Sequence, residues 1–319
     1  MWKRLRTISA LIIALCLILC VNALPVNADS NQGNSTVSVP ELPSPPAGFN
    51  PLTATALQLK EYGFPARPSD STSLAEWTRV MSYAKYYVKP VLTQSTTKIS
   101  SAFVSEIYQG TGYSQIWSGY MIQSANNNNI TYSQAWGDWT QPGVQNGGVQ
   151  VCCWVGLGGW ASGYTVQAGA ITNTMNMTGS DAPIEFALED TPNDPIFIAY
   201  PQINAGDEVY AQVTYNNPNC SSAFLLNFQT YQYTSINFYS PYYDGSSAEY
   251  IYENMDMIYS PSAYIPFKAC DYVSADGIYG NLSNSSYTKI IMTDNGRHSG
   301  AQEAVPGAVT NSNFYVVAP

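Results

Sequence analysis

The sequence predicts an all-β fold: an antiparallel β-sandwich of two stacked curved sheets, jelly-roll-like, preceded by a short helical N-terminal segment. Three observations carry this. From about Tyr113 onward, Tyr, Thr, Val, Ile and Phe alternate with small or polar residues, the period-two pattern of half-buried strands. Turn signals break the pattern at short intervals, among them "NNNN", "QPGVQNGG", "INAGDE", "NNPNC", "YYDGSS" and "SADG". No alternation of helix with strand, of the kind that builds a parallel sheet, is visible. About two hundred residues of such strands bury a substantial core between two sheets.

The elements before that region differ from it. The chain opens "MWKRLRTISALIIALCLILCVNALPVNADS": Lys3, Arg4 and Arg6, then an apolar run from Ile8 to Val21, then small residues. That is the layout of a secretory signal peptide over residues 1–28, cleaved after Ala28. An uncleaved anchor is the alternative, but the run is short for a span of about 20 residues. The expectation is a secreted, extracellular protein with no stable membrane association. Residues 29–110 follow, beginning with a polar, Pro-rich linker, "DSNQGNSTVSVPELPSPPAG". Within them "TATALQLKEYG" and "SLAEWTRVMSYAKYYV" read as two short helices, begun by Thr and Ser and apolar at three- and four-residue spacing. Residues 111–319 form the β-sandwich domain.

Charge narrows the partners. After the signal, twenty-two acidic residues face nine basic ones, and from Ser101 onward seventeen acidic residues face only Lys268, Lys289 and Arg297. Nucleic acid is excluded as a partner, because binding it needs Lys and Arg to neutralise phosphate. In strong acid the carboxylates are neutral and only cations repel, so this composition suits an acidic medium. It equally suits an ordinary acidic secreted protein.

Cys152, Cys153, Cys220 and Cys270 remain after the signal. An even number in an exported chain suggests disulfides. In one strand Cys152 and Cys153 point to opposite faces, so the natural partners are Cys220 and Cys270, in a pairing the sequence leaves open. Six sequons, at Asn34, Asn129, Asn176, Asn219, Asn281 and Asn284, fit surface positions.

Elimination limits the chemistry. The single histidine, His298 in "TDNGRHSG", rules out a zinc site of two or more imidazoles and reads as a surface loop residue. The glycine clusters do not open helices, so phosphate cradling has no support. No metal or cofactor is expected. Carboxylates, amides and tyrosines remain as acid–base equipment.

Six stretches occur in order: "WSGYMI" (117–122), "WGDWTQP" (136–142), "CWVGLGG" (153–159), "YTVQAG" (164–169), "INAGDEVYAQVTY" (203–215) and "SAEYIYE" (247–253). This ordered set resembles the strand motifs of the eqolisins, the glutamic peptidases, and the N-terminal segment resembles the extension of prokaryotic members. The resemblance implies a secreted acid endopeptidase acting on polypeptides through Gln167 and Glu249 as catalytic dyad. It makes Trp154 a substrate-cleft residue and offers Trp117, Trp139 and Tyr250 as further cleft aromatics. Two positions depart from the family pattern: Gly158 stands where the family has Asp, and Tyr250 where it has Trp.

That pair makes chemical sense. Glu249, ionised, would take a proton from water and return it to the leaving amine. Gln167 would donate to the oxyanion. An amide does not titrate, so the arrangement survives in acid. Glu253, on the same strand face as Glu249, is the rival base, and Glu185 and Glu189 are expected to line the cleft or serve structure. The segment over 29–110 is helical where the rest is sheet, has no cysteine and carries six basic residues between 29 and 100, which suggests an inhibitory propeptide. Its cations would pair with cleft carboxylates and release them in acid. A permanent helical arm is the alternative. A glycan-binding protein or glycoside hydrolase is the competing function, since aromatic-rich sandwiches also serve sugars. Two carboxyls four residues apart on one strand, however, stand roughly 13 Å apart.

Overall fold

The computed structural model describes residues 40–94, 105–143, 151–159, 164–172, 184–190, 196–217, 219–241, 243–254 and 263–318. The expected signal peptide and the sequons at Asn34 and Asn176 lie outside the described residues. Among the described residues, no helix is long and apolar enough to cross a membrane.

Two sheets stack around one core. The back sheet runs β1 (Tyr86–Tyr87), β13 (Gln232–Ser240), β12 (Asn219–Asn227), β11 (Glu208–Asn217), β6 (Tyr132–Thr140) and β15 (Ala263–Ser274). Along its free edge β15 pairs with β19 (Phe314–Ala318) and then β16 (Tyr279–Asn281). The front sheet runs β2 (Leu92–Gln94), β10 (Ile196–Ile203), β9 (Ile184–Asp190), β8 (Thr165–Thr172), β7 (Val151–Gly158), β14 (Ser247–Asn254), β5 (Trp117–Gln123), β17 (Tyr287–Thr293), β4 (Thr111–Ser114) and β3 (Glu106–Tyr108). Strand β18 (Gln302–Pro306) pairs with β17 and then with β19, linking the two sheets. Apart from the parallel pairs β1–β13 and β17–β4, these pairings are antiparallel.

Strand parity sorts the side chains. From β7 and β14, Cys153, Val155, Leu157, Ala248, Tyr250 and Tyr252 enter the core between the sheets. Their neighbours Cys152, Trp154 and Ile251 form a second apolar patch on the front sheet's outer face. Both faces of these central strands are covered, so every residue of β7, β8 and β14 is buried. A strand buried on both faces reads as a nearly continuous apolar run.

The expected helices are α1 (Ala56–Glu61) and α2 (Ser71–Tyr83). Thr55 and Gln58 cap α1 reciprocally, and the Asp70 side chain accepts from Ser73 N at the start of α2. The second helix stops before "AKYYV", because Lys85 N and Tyr86 N bond to Tyr231 O and the chain becomes β1. Leu59, Phe64, Trp77, Val80 and Met81 pack on Trp136, Phe224, Leu226 and Tyr233, on the outer face of the back sheet. Arg79 bonds Glu76 at 2.6 Å and also bonds the fully buried Asp138. The ion pairs of Arg79 therefore lie beneath α2 and not around the front-sheet acids.

Among the described residues the structure forms no disulfide, correcting the sequence expectation. Cys152 and Cys153 do point to opposite faces, Cys152 into the outer patch and Cys153 into the core. Cys220 sits at the end of the β11–β12 hairpin in the other sheet, out of line with either. Cys270 enters the core as a thiol, and burial raises it and Cys153 well above the ordinary range. His298 lies in an exposed turn, stacked on Tyr108 with ring centroids 4.0 Å apart.

Candidate active site

One row of residues crosses the outer face of the front sheet. Glu189 lies opposite Gln167, Gln167 opposite Gly156, Gly156 opposite Glu249, and Glu249 opposite Met121. Residues directly paired across antiparallel strands project to the same side. Gln167 and Glu249 are two strand spacings apart, roughly 10 Å between backbones, and the residue between them has no side chain. A Cβ on Gly156 would lie 3.3 Å from Gln167 Cβ and 3.5 Å from Gln167 Oε1. The missing side chain leaves a gap with an amide on one wall and a carboxyl on the other.

The "GLGG" turn ending β7 shapes the carboxyl wall. Gly158 and Gly159 have φ of +85° and +90°, which glycine adopts without steric cost. A Cβ at Gly159 would lie 3.0 Å from Glu249 Oε1 and 2.2 Å from Thr165 Oγ1. At Gly158 it would meet Asp244 Oδ1 at 2.8 Å. The departure from the family's Asp at Gly158 thus coincides with a carboxylate brought to the same spot by another segment.

Glu249 is 1% exposed. Its Oε1 lies 3.0 Å from Ser247 Oγ, which itself lies 2.5 Å from Gly158 O. The Ser247 hydroxyl is a donor within reach of both oxygens, Gly158 O and Glu249 Oε1. Burial pushes Glu249 up to about 8, the hydrogen bond donated by Ser247 opposes this, and Asp244, Glu189 and Glu253 add to it. Burial thus favours the neutral acid in this closed arrangement, where the sequence led to an ionised Glu249. Its Oε2 is buried without a partner.

Gln167 is also 1% exposed. Its Nε2 donates to Glu189 Oε2, while its Oε1 has no partner. The rival base Glu253 lies two rows away, opposite Cys152 and not Gly156. It accepts from Trp154 Nε1 at 2.7 Å. Burial, with Glu189 adding and Trp154 opposing, pushes Glu253 up to about 8. Trp117 Nε1 faces the same carboxyl without a well-formed hydrogen bond. The Trp154 ring lies over Gly169, where a Cβ would come within 2.6 Å of its Cε3.

Of the aromatics expected in the cleft, Trp154 and Trp117 share the dyad's face. Trp139 and Tyr250 do not, and both are corrections. Tyr250 neighbours Glu249, so it points the opposite way, into the inter-sheet core, and donates to Asp271 O at 2.7 Å. Trp139 enters the same core from the back sheet and donates to Gln141 Oε1 at 2.8 Å. Glu185 lies half-buried at the far end of the Glu253 row. Sequence reasoning missed Asp244 and the hydrogen bond from Gln167 to Glu189, because both depend on register between distant segments. Cavities of about 230 and 860 Å³ open beneath α2 on the back sheet, and neither touches the dyad. Among the described residues no three His, Cys, Asp or Glu side chains are grouped to hold a metal ion.

Comparison with known proteins identifies the family. The model of the Peptidase A4 family matches residues 115–311. Among solved structures, scytalido-glutamic peptidase bound to a transition-state analog inhibitor aligns with TM-score 0.51 and 19% identity, covering 64% of this chain and 98% of that one. SCP-B, a member of the eqolisin family in complex with the tripeptide Ala-Ile-His, aligns with TM-score 0.47 and 18% identity, covering 64% and 98%. Aspergilloglutamic peptidase from Aspergillus niger aligns with TM-score 0.42 and 18% identity, covering 53% and 99%. No curated protein matches. The chain belongs to the Peptidase A4 family, the eqolisin-type glutamic peptidases.

Proposed function

We propose that the protein is a secreted endopeptidase active in acid, with Glu249 and Gln167 as its catalytic pair. The observation that carries this reading is their placement on either side of Gly156, facing one gap. A glycoside hydrolase needs two carboxyls facing one sugar, and the group across the gap from Glu249 is an amide.

Glu249 begins the cycle neutral. As water adds to the scissile carbonyl, one carboxyl oxygen gives its proton to the carbonyl oxygen while the other takes a proton from the water. The product is a tetrahedral diol, and Glu249 is again neutral. In collapse the carboxyl protonates the departing nitrogen and recovers a proton from one diol hydroxyl, releasing acid and amine. One carboxyl thus works as acid and base in each step, and no histidine is needed. Gln167 holds the reacting oxygens through its amide. Both groups are buried, so a peptide reaches them only as the patch opens.

Export rests on the N-terminal pattern of residues 1–28. Removal of residues 29–110 as a propeptide is the other expectation drawn from the sequence. The packing of α1 and α2 favours the alternative, a permanent arm, for the segment from about Pro40. Incubating the purified protein with denatured casein near pH 3 tests the activity. Cleavage lost in Glu249→Gln supports the pair, and cleavage retained there refutes it.

A further inference from the structure

The amide of Gln167 has two unlike ends, and the structure shows which faces which neighbour. Nε2 donates to Glu189 Oε2. Oε1 lies on the Gly156 side, where a Cβ would stand 3.5 Å away, and receives no hydrogen bond. The carbonyl end therefore faces the gap shared with Glu249. A carbonyl oxygen repels the partly negative oxygen of a substrate carbonyl, and only the N–H end can stabilise it.

Turning the amide by about 180° about its last bond would present the N–H groups to the gap and Oε1 to Glu189. An ionised Glu189 forbids that turn, because a carboxylate and an amide oxygen are both acceptors. A protonated Glu189 permits it by donating to Oε1. Resting on the peptidase reading above, we propose that Glu189 is a positioning residue that sets the orientation of Gln167. Ionised, it holds the amide with its oxygen toward the gap. After taking one proton from solvent, it lets the N–H groups turn toward the substrate. No covalent bond of Gln167 changes, and the glutamine, which cannot titrate, becomes acid-dependent through its neighbour.

Other carboxyls share the patch with Glu189. From β14, Glu249 and Glu253 act on the same patch, and Asp244 adds its charge at Glu249. On β9 itself are Glu185 and the buried Asp190. Strand β8 presents Gln167, and β10, on the other side, carries only Tyr200 among titratable groups. No cation is among the groups acting on Glu249 or Glu253. Clustered carboxyls take up protons as a set, so the switch titrates with the cluster.

The test compares Glu189→Gln with Glu189→Ala. A glutamine at this position can donate to Oε1 at any pH, so the turned orientation no longer needs a proton. Glu189→Gln should therefore move the alkaline limb of the kcat profile up by at least one pH unit, with KM little changed. Glu189→Ala should lower kcat tenfold or more near pH 3 without moving the limb. A residue that merely packs would leave the limb unmoved in both, and an unmoved limb in folded Glu189→Gln overturns the proposal. A second readout does not need catalysis. The side-chain ¹⁵N–¹H₂ signals of Gln167, assigned by their absence from Gln167→Ala, should shift in a step with pH in the native protein and stay flat in Glu189→Gln. A pH-invariant Gln167 signal in the native protein overturns the proposal. If the native protein cleaves no peptide at any pH, the peptidase reading falls, and the amide signal alone decides the orientation switch.

Discussion

Gln167 and Glu249 stand directly across Gly156 from one another, on the two strands that flank β7. The gap depends on glycine at that position. Gly156→Ala should fold, because the nearest atoms at 3.3 Å are side-chain carbons that can give slightly. Overpacking of this kind costs about 1–3 kcal/mol. Activity should fall at least about tenfold, since misplacing reacting groups by even 1 Å can cost about a hundredfold. Full activity in Gly156→Ala would show that the gap is not where substrate reacts.

Gln167→Ala should lose roughly a hundredfold or more in kcat, the usual effect of removing one donor to the reacting oxygen, about 3 kcal/mol. The melting temperature should change little. Steady-state kinetics near pH 3 on a chromogenic peptide checks this, and unchanged kcat in the folded variant would take the glutamine out of the mechanism.

Stability should rise in acid. Burial is the leading cause in each of four raised carboxyls: Glu249 and Glu253 to about 8, Asp271 to about 7, Asp138 to about 6. Unfolded carboxyls titrate near 4, so between about pH 4 and 8 the folded protein binds more protons. The neutral forms favour the fold; their contribution is full below about pH 4 and is lost as pH rises through 6 to 8. Each group adds a slope of at most about 1.4 kcal/mol per pH unit in its window. Calorimetry should find a higher melting temperature at pH 5 than at pH 8.5. The reverse order would contradict the assignment of these carboxyls.

Acid should not release the helical segment. Asp138 lies beneath Arg79 of α2, and burial raises it to about 6 despite that cation. An undocked Asp138 would titrate near 4, so docking takes up a proton between those values and tightens as pH falls. Hydrogen exchange in Glu249→Gln should show amides of Ser71–Tyr83 at least as protected at pH 4 as at pH 7, after correction for intrinsic rates. Lost protection at pH 4 would restore the acid-release route.

Gln167 and Glu249, which face each other across Gly156, stood out in the sequence because they sit inside ordered motifs with characteristic neighbours, "YTVQAG" and "SAEYIYE". The sandwich was legible because period-two alternation reports directly on burial. Tyr250 was misplaced although parity alone reveals it: if Glu249 faces outward, its neighbour faces the core. Trp139 needed more, since facing inward from the back sheet depends on how the sheets stack. The disulfide expectation failed because an even cysteine count carries no geometry, and Cys152 and Cys220 belong to different sheets. Glu189 became a partner of Gln167 only through the register of β8 on β9, which no local pattern encodes.

The most direct test of the account is kcat/KM for a peptide substrate near pH 3, measured for the native protein and for Glu249→Gln of equal thermal stability. The account predicts cleavage by the native protein and a loss of at least about a hundredfold in the variant. A variant that cleaves within a few-fold of the native rate would contradict it, and would move the search for the catalytic carboxyl to Glu253.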